Sequence, residues 1–274
     1  MSGKLYVVGT PIGNLGDFTP RAIETLEKVD FLAVEDTRVT VKLLNQFGLK
    51  KEMLSYYEHN KASKGNLILE RLLAGETCAL MSDAGMPAIS DPGEDLVRLC
   101  HQNGVSVESV PGPSAITTAL AISGMPSGRF CFEGFLTTQK NGRKLHLESL
   151  KTEQRTMIFY EAPHKLLATL KDMLDCFGDR DIAVVRELTK LHETVFHTTL
   201  GGAFDYYTDN APRGEFVLII KGAEPEAMEY TLSDAVKIAR KLVDDGQSTS
   251  FASKEAAKIT GLKKSDIYKQ LLCD

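Results

Sequence analysis

The stretch that most constrains the fold of this chain is 81–93, which reads Met-Ser-Asp-Ala-Gly-Met-Pro-Ala-Ile-Ser-Asp-Pro-Gly. It follows an apolar run at 77–81 with the length of a buried strand, and it precedes apolar spacing at 94–102 that is typical of a helix. A plain strand-to-helix connection takes only about two to six residues. A longer one with two Gly and two Pro can fold tightly around a small molecule, although Gly and Pro also set ordinary surface turns. The stretch therefore predicts an α/β unit with a ligand loop at the carboxyl end of a strand.

The same alternation recurs along the first half of the chain. Strands are predicted at 4–8, 31–34, 77–81 and 105–110. Helices are predicted between them, one starting at Thr19-Pro20 and another covering about 39–47. Such alternation indicates a parallel sheet covered on both faces. The connections after these strands should then open at one edge of the sheet; they are 9–18, 35–38, 82–93 and 111–114.

The second half of the chain follows a different pattern, which begins after Gly124-Met-Pro126. Strands at 129–135, 156–160, 182–185, 194–200 and 215–221 include direct strand-to-strand links, which suggest a mixed sheet. Three helices, 233–244, 251–260 and 264–272, follow, and the last two resemble a helix-turn-helix unit. We therefore expect two α/β domains, 1–123 with a parallel sheet and 124–224 with a mixed sheet, with a cofactor cleft between them, and a helical tail at 230–274.

Composition favours a cytoplasmic globular protein. The chain of 274 residues is 43% hydrophobic and 25% charged, without a run of transmembrane length or a signal-peptide pattern. Five scattered cysteines without a Cys-x-x-Cys pair argue against disulfides and structural zinc, and no other metal-ligand spacing is present. The net charge of −5 is no general nucleic-acid signature, but the segment 137–155 and the helical tail are locally basic and could contact phosphates.

The first connection narrows the class of ligand. It offers Gly9, Gly13 and Gly16 with Pro11 among them, and the chain lacks the Gly-Lys-Ser/Thr of a P-loop. The ligand therefore need not be a pyrophosphate. Apolar side chains, backbone turns and a few carboxylates would suit an adenosine ring joined to a small zwitterion.

Six ordered motifs resemble one family. They are Gly9-Thr-Pro-Ile-Gly-Asn-Leu-Gly-Asp, Glu35-Asp-Thr-Arg, Ser82-Asp-Ala-Gly-Met-Pro-Ala-Ile-Ser-Asp-Pro-Gly, Val110-Pro-Gly-Pro-Ser-Ala, Phe159-Tyr-Glu-Ala-Pro-His and Arg213-Gly-Glu-Phe. Together, over about 4–222, they are similar to the bacterial ribosomal RNA small-subunit methyltransferase I family, in the tetrapyrrole-methylase-like class of S-adenosylmethionine enzymes. The helical tail also resembles that family's C-terminal unit.

The resemblance implies a homodimer that binds S-adenosyl-L-methionine without a metal. It implies 2′-O-methylation of a cytidine in the decoding region of 16S ribosomal RNA, and we expect the assembled 30S subunit to be the substrate. This chain departs from the wider class at two places, Pro11 in the first loop and Asp83-Ala-Gly85 in the central loop. Both departures argue against tetrapyrrole substrates. The alternatives are a methylase of a tetrapyrrole-like small molecule and a non-catalytic nucleic-acid-binding protein.

The resemblance also implies the cofactor contacts. They are Gly9, Pro11, Ile12, Gly13, Asp83, Ala84, Gly85, Ala88, Ser114, Ala115, Glu161 and Leu188. Each has a structural alternative: Ile12, Ala88 and Leu188 could be core residues, Ser114 could cap a helix, and Glu161 could form a surface salt bridge.

Methyl transfer to a hydroxyl needs an aligned nucleophile and a group that takes up its proton. Ionisable residues are dense after the strand at 182–185, and a further candidate, Asp36, follows the strand at 31–34. The predicted catalytic residues are Asp36, Glu187, Lys190, His192 and Glu193. Lys190 and Glu187 are expected to polarise the ribose hydroxyl, and the alternative is a structural ion-pair network.

Overall fold

The computed structural model describes residues 3–225 and 230–273. The chain forms two compact units, Met1–Ala223 and Glu224–Asp274. In the described ranges, no helix combines the length and the apolar composition that crossing a bilayer requires.

The first sheet of the larger unit is entirely parallel, as predicted. Its strands are β1 (Lys4–Val8), β2 (Phe31–Val34), β3 (Glu52–Ser55), β4 (Cys78–Met81) and β5 (Ser106–Val110). Their order is β3-β2-β4-β1-β5. Every residue of β2 and β4 is buried, because helices cover both faces of the sheet. The edge strand β3 was not predicted from the sequence.

The strands of the first sheet are followed by five α-helices and one 3₁₀ turn, Leu15–Asp17; the first four helices pack against this sheet, and the fifth packs against the other sheet of the unit. The helices are α1 (Pro20–Lys28), α2 (Thr37–Gln46), α3 (Lys61–Leu73), α4 (Glu94–Gln102) and α5 (Ala115–Ile122). The Thr19 hydroxyl accepts from the backbone N–H of Ala22, so the predicted cap of α1 is confirmed. Helix α2 begins two residues before its predicted start at 39, because the Asp36 carboxylate caps it by accepting from the Arg38 N–H.

The second sheet is mixed, as predicted. Its strands are β6 (Phe130–Phe135), β7 (Thr156–Glu161), β8 (Asp181–Arg186), β9 (Thr194–Thr199) and β10 (Phe216–Ile220). The order is β6-β7-β10-β8-β9, with β6 and β7 parallel and the other pairs antiparallel. Strands β6, β7 and β8 therefore end at one edge of this sheet, where β10 begins.

Three helices pack in this half of the unit: α6 (Lys140–Ser149), α7 (Leu166–Phe177) and α8 (Leu200–Asp209). The sequence did not predict α6 or α8. Helix α6 occupies the basic segment that was expected to contact RNA. Its Arg143 is buried and donates to the Asp172 carboxylate at 2.7 Å, so the expectation is wrong for this residue.

The smaller unit consists of α9 (Leu232–Asp244), α10 (Thr249–Thr260) and α11 (Lys264–Cys273), close to the predicted helices. It has its own core, formed by Ala235, Val236, Ala239, Ala252, Ala256 and Ile267. Gly261 ends α10 in a left-handed conformation, which glycine adopts without steric cost. Asp274, the last residue of the predicted tail, lies outside the described residues. The predicted domain limits at 123, 224 and 230 stay predictions.

Candidate active site

A cavity of about 590 Å³ opens where the carboxyl ends of both sheets meet in the larger unit. This volume lies within the range of about 300–1,000 Å³ that is common for small-molecule sites. All four predicted connections, of the five that the first sheet has, contribute to its wall, through Ile12, Glu35, residues of the central loop such as Asp83 and Asp91, and Ser114. The second sheet contributes from the ends of β6, β7 and β8 and the start of β10. The predicted gathering of loops at one edge is therefore confirmed.

Part of the predicted cofactor set lines this cavity. The lining residues from that set are Ile12, Asp83, Ala84, Gly85, Ser114, Ala115, Glu161 and Leu188. Pro11 and Gly13 instead line a neighbouring groove, described below. Gly9 packs against another loop, and Ala88 has a left-handed backbone with φ of 66°. Ser114 is the N-cap residue of α5, as the structural alternative expected, but its side chain makes no capping hydrogen bond.

Backbone contacts hold the loops of the first sheet together. Thr10 and Gly85 exchange two backbone hydrogen bonds of 2.9 and 3.2 Å, which join the first loop to the central loop. A Cβ on Gly9 would lie 2.7 Å from the Gly112 Cα, so the first and fourth loops touch through their backbones. Glycine is required at this approach because any side chain would separate the two loops.

Three carboxylates form an acidic wall of the cavity: Glu35, Asp83 and Asp91. Burial raises the pKa of each above its ordinary value, and neighbouring carboxylates raise each pKa further. Their arrangement favours a positively charged ligand, which would relieve the repulsion between them. Glu35 and Asp91 were not among the predicted cofactor contacts, although both belong to motifs that were recognised.

Aromatic rings form a second wall. Tyr160 lies edge-on to Phe132 and Phe135, with ring centroids 4.9 and 5.4 Å away. Burial raises the pKa of Tyr160 to about 12, so its hydroxyl stays protonated at neutral pH. Tyr160 and Phe135 line the cavity, but neither was predicted, because aromatic residues in strands are usually core residues.

Glu161 is buried at the end of β7. One oxygen accepts from the Ala162 N–H at 2.8 Å and the other from the Thr169 hydroxyl at 2.5 Å. The surface salt bridge considered as an alternative is therefore wrong. The carboxylate is held rigidly, as a residue that orients a ligand should be.

Four of the five predicted catalytic residues lie together in the connection after β8. The Lys190 ammonium donates to Glu187 at 2.9 Å and to Glu215 at 2.7 Å, and the Glu193 carboxylate accepts from the Thr189 N–H. Burial lowers the pKa of Lys190, but the two carboxylates outweigh burial and raise it above its ordinary value. His192 is exposed.

Backbone strain marks the same connection. In the described part of the chain, the non-glycine residues with positive φ are Ala88, Glu187 and Thr189. All three lie in the two connections that border the cavity, and such strain is characteristic of functional sites.

Asp36, the fifth predicted catalytic residue, lies in the connection after β2, where it caps α2. Hydrogen bonds from Arg38 lower the pKa of Asp36 to about 2, and the Asp36 N–H donates to Asp83 at 3.3 Å. None of the five predicted catalytic residues lines the 590 Å³ cavity itself, although Glu215, a partner of Lys190, does. Their catalytic roles stay predictions.

Within the described residues, no group of three or more His, Cys, Asp or Glu side chains is arranged to hold a metal ion.

The fold and the cavity define a class of protein. The family of Tetrapyrrole (Corrin/Porphyrin) Methylases matches residues 4–203. The crystal structure of uroporphyrin-III C-methyltransferase from Thermus thermophilus, complexed with S-adenosyl homocysteine, superposes with a TM-score of 0.56 at 20% identity. That match covers 80% of this chain and 97% of the other and shows the shared fold.

Sequence relatives give the particular family. The ribosomal RNA small subunit methyltransferase I of a Synechocystis species is 47% identical over 97% of this chain and 96% of the relative. The protein of that name from Thermotoga maritima is 48% identical over 222 residues, which are 81% of this chain and 100% of the relative. The chain belongs to the ribosomal RNA small subunit methyltransferase I family of tetrapyrrole-methylase-like proteins.

Proposed function

We propose that this protein transfers a methyl group from S-adenosyl-L-methionine to a ribose 2′-hydroxyl of ribosomal RNA. The acceptor is a cytidine in the decoding region of 16S ribosomal RNA within the assembled 30S subunit. The observation that carries the proposal is the cavity lined by four of the five connections of the parallel sheet, in a chain 47% and 48% identical to two ribosomal RNA methyltransferases. As its family resemblance implies, the protein acts as a cytoplasmic homodimer.

The cavity suits the proposed methyl donor. Ile12, Ala115 and Leu188 supply apolar walls for an adenosine, and Glu35, Asp83 and Asp91 oppose positive charge. When bound, the donor supplies an electrophilic methyl group on a sulfonium. Among the described residues that line the cavity there is no Lys or Arg, so the charged side chains that face the positive charge of the donor are carboxylates.

Lys190 is the residue to which we assign electrostatic catalysis. Its ammonium stays protonated at neutral pH because its pKa is raised, so it stabilises the negative charge that develops on the ribose oxygen. Glu187 and Glu215 orient this ammonium through hydrogen bonds.

The ribose hydroxyl also needs a group that takes up its proton. Asp83 is a better proton acceptor than Asp36, because burial raises the pKa of Asp83, whereas hydrogen bonds from Arg38 lower the pKa of Asp36 to about 2.

The protein must bind the phosphates of RNA although its net charge is negative. The net charge is −5, but the tail carries Lys254, Lys263, Lys264 and Lys269 as exposed side chains. These lysines can contact phosphates. Because the chain as a whole is acidic, we expect them to bind a shaped ribosomal surface rather than any naked strand.

The test is transfer of labelled methyl to 30S subunits purified from cells that lack this protein. We expect incorporation at one cytidine, located by mass mapping, and none into porphyrinoids. Naked short RNA should be a poor substrate. Methylation of porphyrinoids instead of 30S subunits would overturn the proposal.

A Lys190→Ala variant tests the assigned role. The loss of one preorganised charge should reduce kcat by about 100-fold. Its affinity for S-adenosylmethionine should stay within about twofold of the original value. The control is Lys171→Ala, which removes an exposed lysine that forms an ion pair with Asp175 on the same helix and should keep full activity. A Lys190→Ala enzyme with full rate would show that the cluster is only structural.

A further inference from the structure

A second concave site, the α2 groove, lies beside the cavity of the proposed methyl donor. It has a volume of about 340 Å³ and lies between the first loop and α2. Pro11, Gly13, Val39, Lys42, Gln46 and Asp83 are the lining residues that matter here.

The α2 groove and the donor cavity share their dividing wall. In the first loop, Pro11 and Gly13 line the groove, while Ile12 between them lines the cavity. In the central loop, Asp83 lines both sites. Two molecules bound in these sites would therefore be separated by little more than the thickness of one loop.

The predicted catalytic ammonium lies at the same wall. A Cβ on Gly13 would lie 2.6 Å from the Lys190 Cγ, so the Lys190 stem packs against the loop that lines the groove. Through Glu215, Lys190 also reaches the wall of the donor cavity. Lys190 therefore lies at the boundary between the two sites.

The chemistry of the α2 groove differs from that of the donor cavity. The cavity has three carboxylates in its acidic wall, whereas the groove shares only Asp83 with that wall and offers the Lys42 ammonium, the Gln46 amide and the half-exposed Val39 side chain. In the described residues, Lys42 has no carboxylate partner within ion-pair distance. Such a set fits a nucleotide, with apolar contact for sugar or base, an amide for polar edges and a cation for phosphate.

We propose that the α2 groove is the subsite of the nucleotide next to the methyl-accepting one, with Lys42 on its phosphate and Gln46 on its sugar or base. The inference rests on the proposed function and extends it to the nucleotide beside the acceptor. The methyl-accepting nucleotide then lies on the cavity side of the wall formed by Pro11, Gly13 and Asp83, where its hydroxyl can contact the donor.

Two variants test the groove with 30S subunits as the probe. Lys42→Ala should raise KM for 30S subunits by about tenfold and reduce the slope of log affinity against log salt by about one, as loss of one phosphate contact does. Val39→Trp should fill the groove and reduce kcat/KM by at least about tenfold. Both variants should bind S-adenosylmethionine as the original protein does, because neither residue lines the donor cavity.

Matched controls separate groove effects from damage to the fold. Val41→Trp changes a residue on the same helix that is also 39% exposed but does not line the groove, and Lys50→Ala removes an exposed lysine elsewhere. Both controls should keep KM within about twofold. If the original protein methylates 30S subunits and the groove variants do so equally well, the subsite is wrong while the proposed function stands. If the original protein methylates no ribosomal RNA, both fail.

Discussion

The Asp91 carboxylate illustrates how one residue can affect folding and ligand binding in opposite directions. Burial raises the pKa of Asp91 above the ordinary 3.8, so ionisation is disfavoured in the folded protein without ligand. The folded state then holds its proton more tightly than the unfolded chain, and the contribution of this group to stability is lost as pH rises through the raised pKa. A cationic ligand reverses this penalty by favouring the ionised form.

We therefore predict that Asp91→Asn stabilises the ligand-free protein at pH 7 and weakens its binding to S-adenosylmethionine by about tenfold, the scale of one partly solvated charge interaction. For the original protein, affinity should fall as pH is lowered through the raised pKa values of Glu35, Asp83 and Asp91. Urea unfolding and calorimetric titration measure the two quantities.

The control for this prediction is Asp205→Asn, at an exposed position on α8 away from the cavity. It should change neither quantity appreciably. Loss of stability and affinity together in Asp91→Asn would mean that the Asp91 carboxylate mainly supports the loop, for example through Ser82, rather than the ligand.

Sequence reasoning at the residue scale succeeded where a motif carried the residue. Asp83, Gly85 and Glu161 were predicted as cofactor contacts, and all three line the cavity. Asp91 and Tyr160 were missed because their role depends on burial and on packing between the two sheets. A single sequence does not reveal which aromatic residue at the end of a strand faces a cavity.

At the scale of elements, the loops depend on a close backbone approach between the ends of β1 and β5. A Cβ on Gly9 would lie 2.7 Å from both the Gly112 Cα and the Met86 sulfur. We predict that Gly9→Ala lowers the free energy of unfolding by about 1–3 kcal/mol, the usual cost of overpacking. Affinity for S-adenosylmethionine should fall as well, because separating the loops widens the cavity.

Gly128→Ala provides the control, since nothing lies within 4 Å of an added Cβ there and its φ is not in the left-handed region. Its unfolding free energy should change by less than about 0.5 kcal/mol. Denaturant titration of both variants decides the matter: equal stability of Gly9→Ala and the original protein would contradict the close approach.

The elements that sequence reasoning missed have weak local signals for identifiable reasons. Strand β3 is a four-residue edge strand whose side chains are not fully buried, so it lacks a clear apolar pattern. Helix α6 buries only Arg143 and Leu147, and a buried arginine resembles a solvent-facing one in the sequence. Helix α8 follows β9 without a gap and contains Gly201-Gly202, which are poor helix formers.

For the whole molecule, the two units have separate cores, and each residue that lines the donor cavity or the α2 groove belongs to the larger unit. The end of that unit is fixed, since the Ala223 N–H donates to the Glu153 carbonyl. The Thermotoga maritima relative matches over its full length with 222 residues, close to the length of this unit. The larger unit should therefore contain everything needed for the chemical step.

We predict that a chain ending at Ala223 folds cooperatively and binds S-adenosylmethionine within about twofold of the full-length affinity. Its kcat on 30S subunits should be preserved, whereas KM should rise by about tenfold with a shallower salt dependence, because the exposed lysines of α10 and α11 are removed. Circular dichroism melting, calorimetry and methyl-transfer kinetics measure these quantities. A full-length variant with Lys254, Lys263, Lys264 and Lys269 replaced by Gln keeps the tail and should reproduce the rise in KM. If truncation raises KM and the Gln variant does not, the tail acts through something other than its charge; if neither changes KM, RNA recognition resides in the larger unit alone.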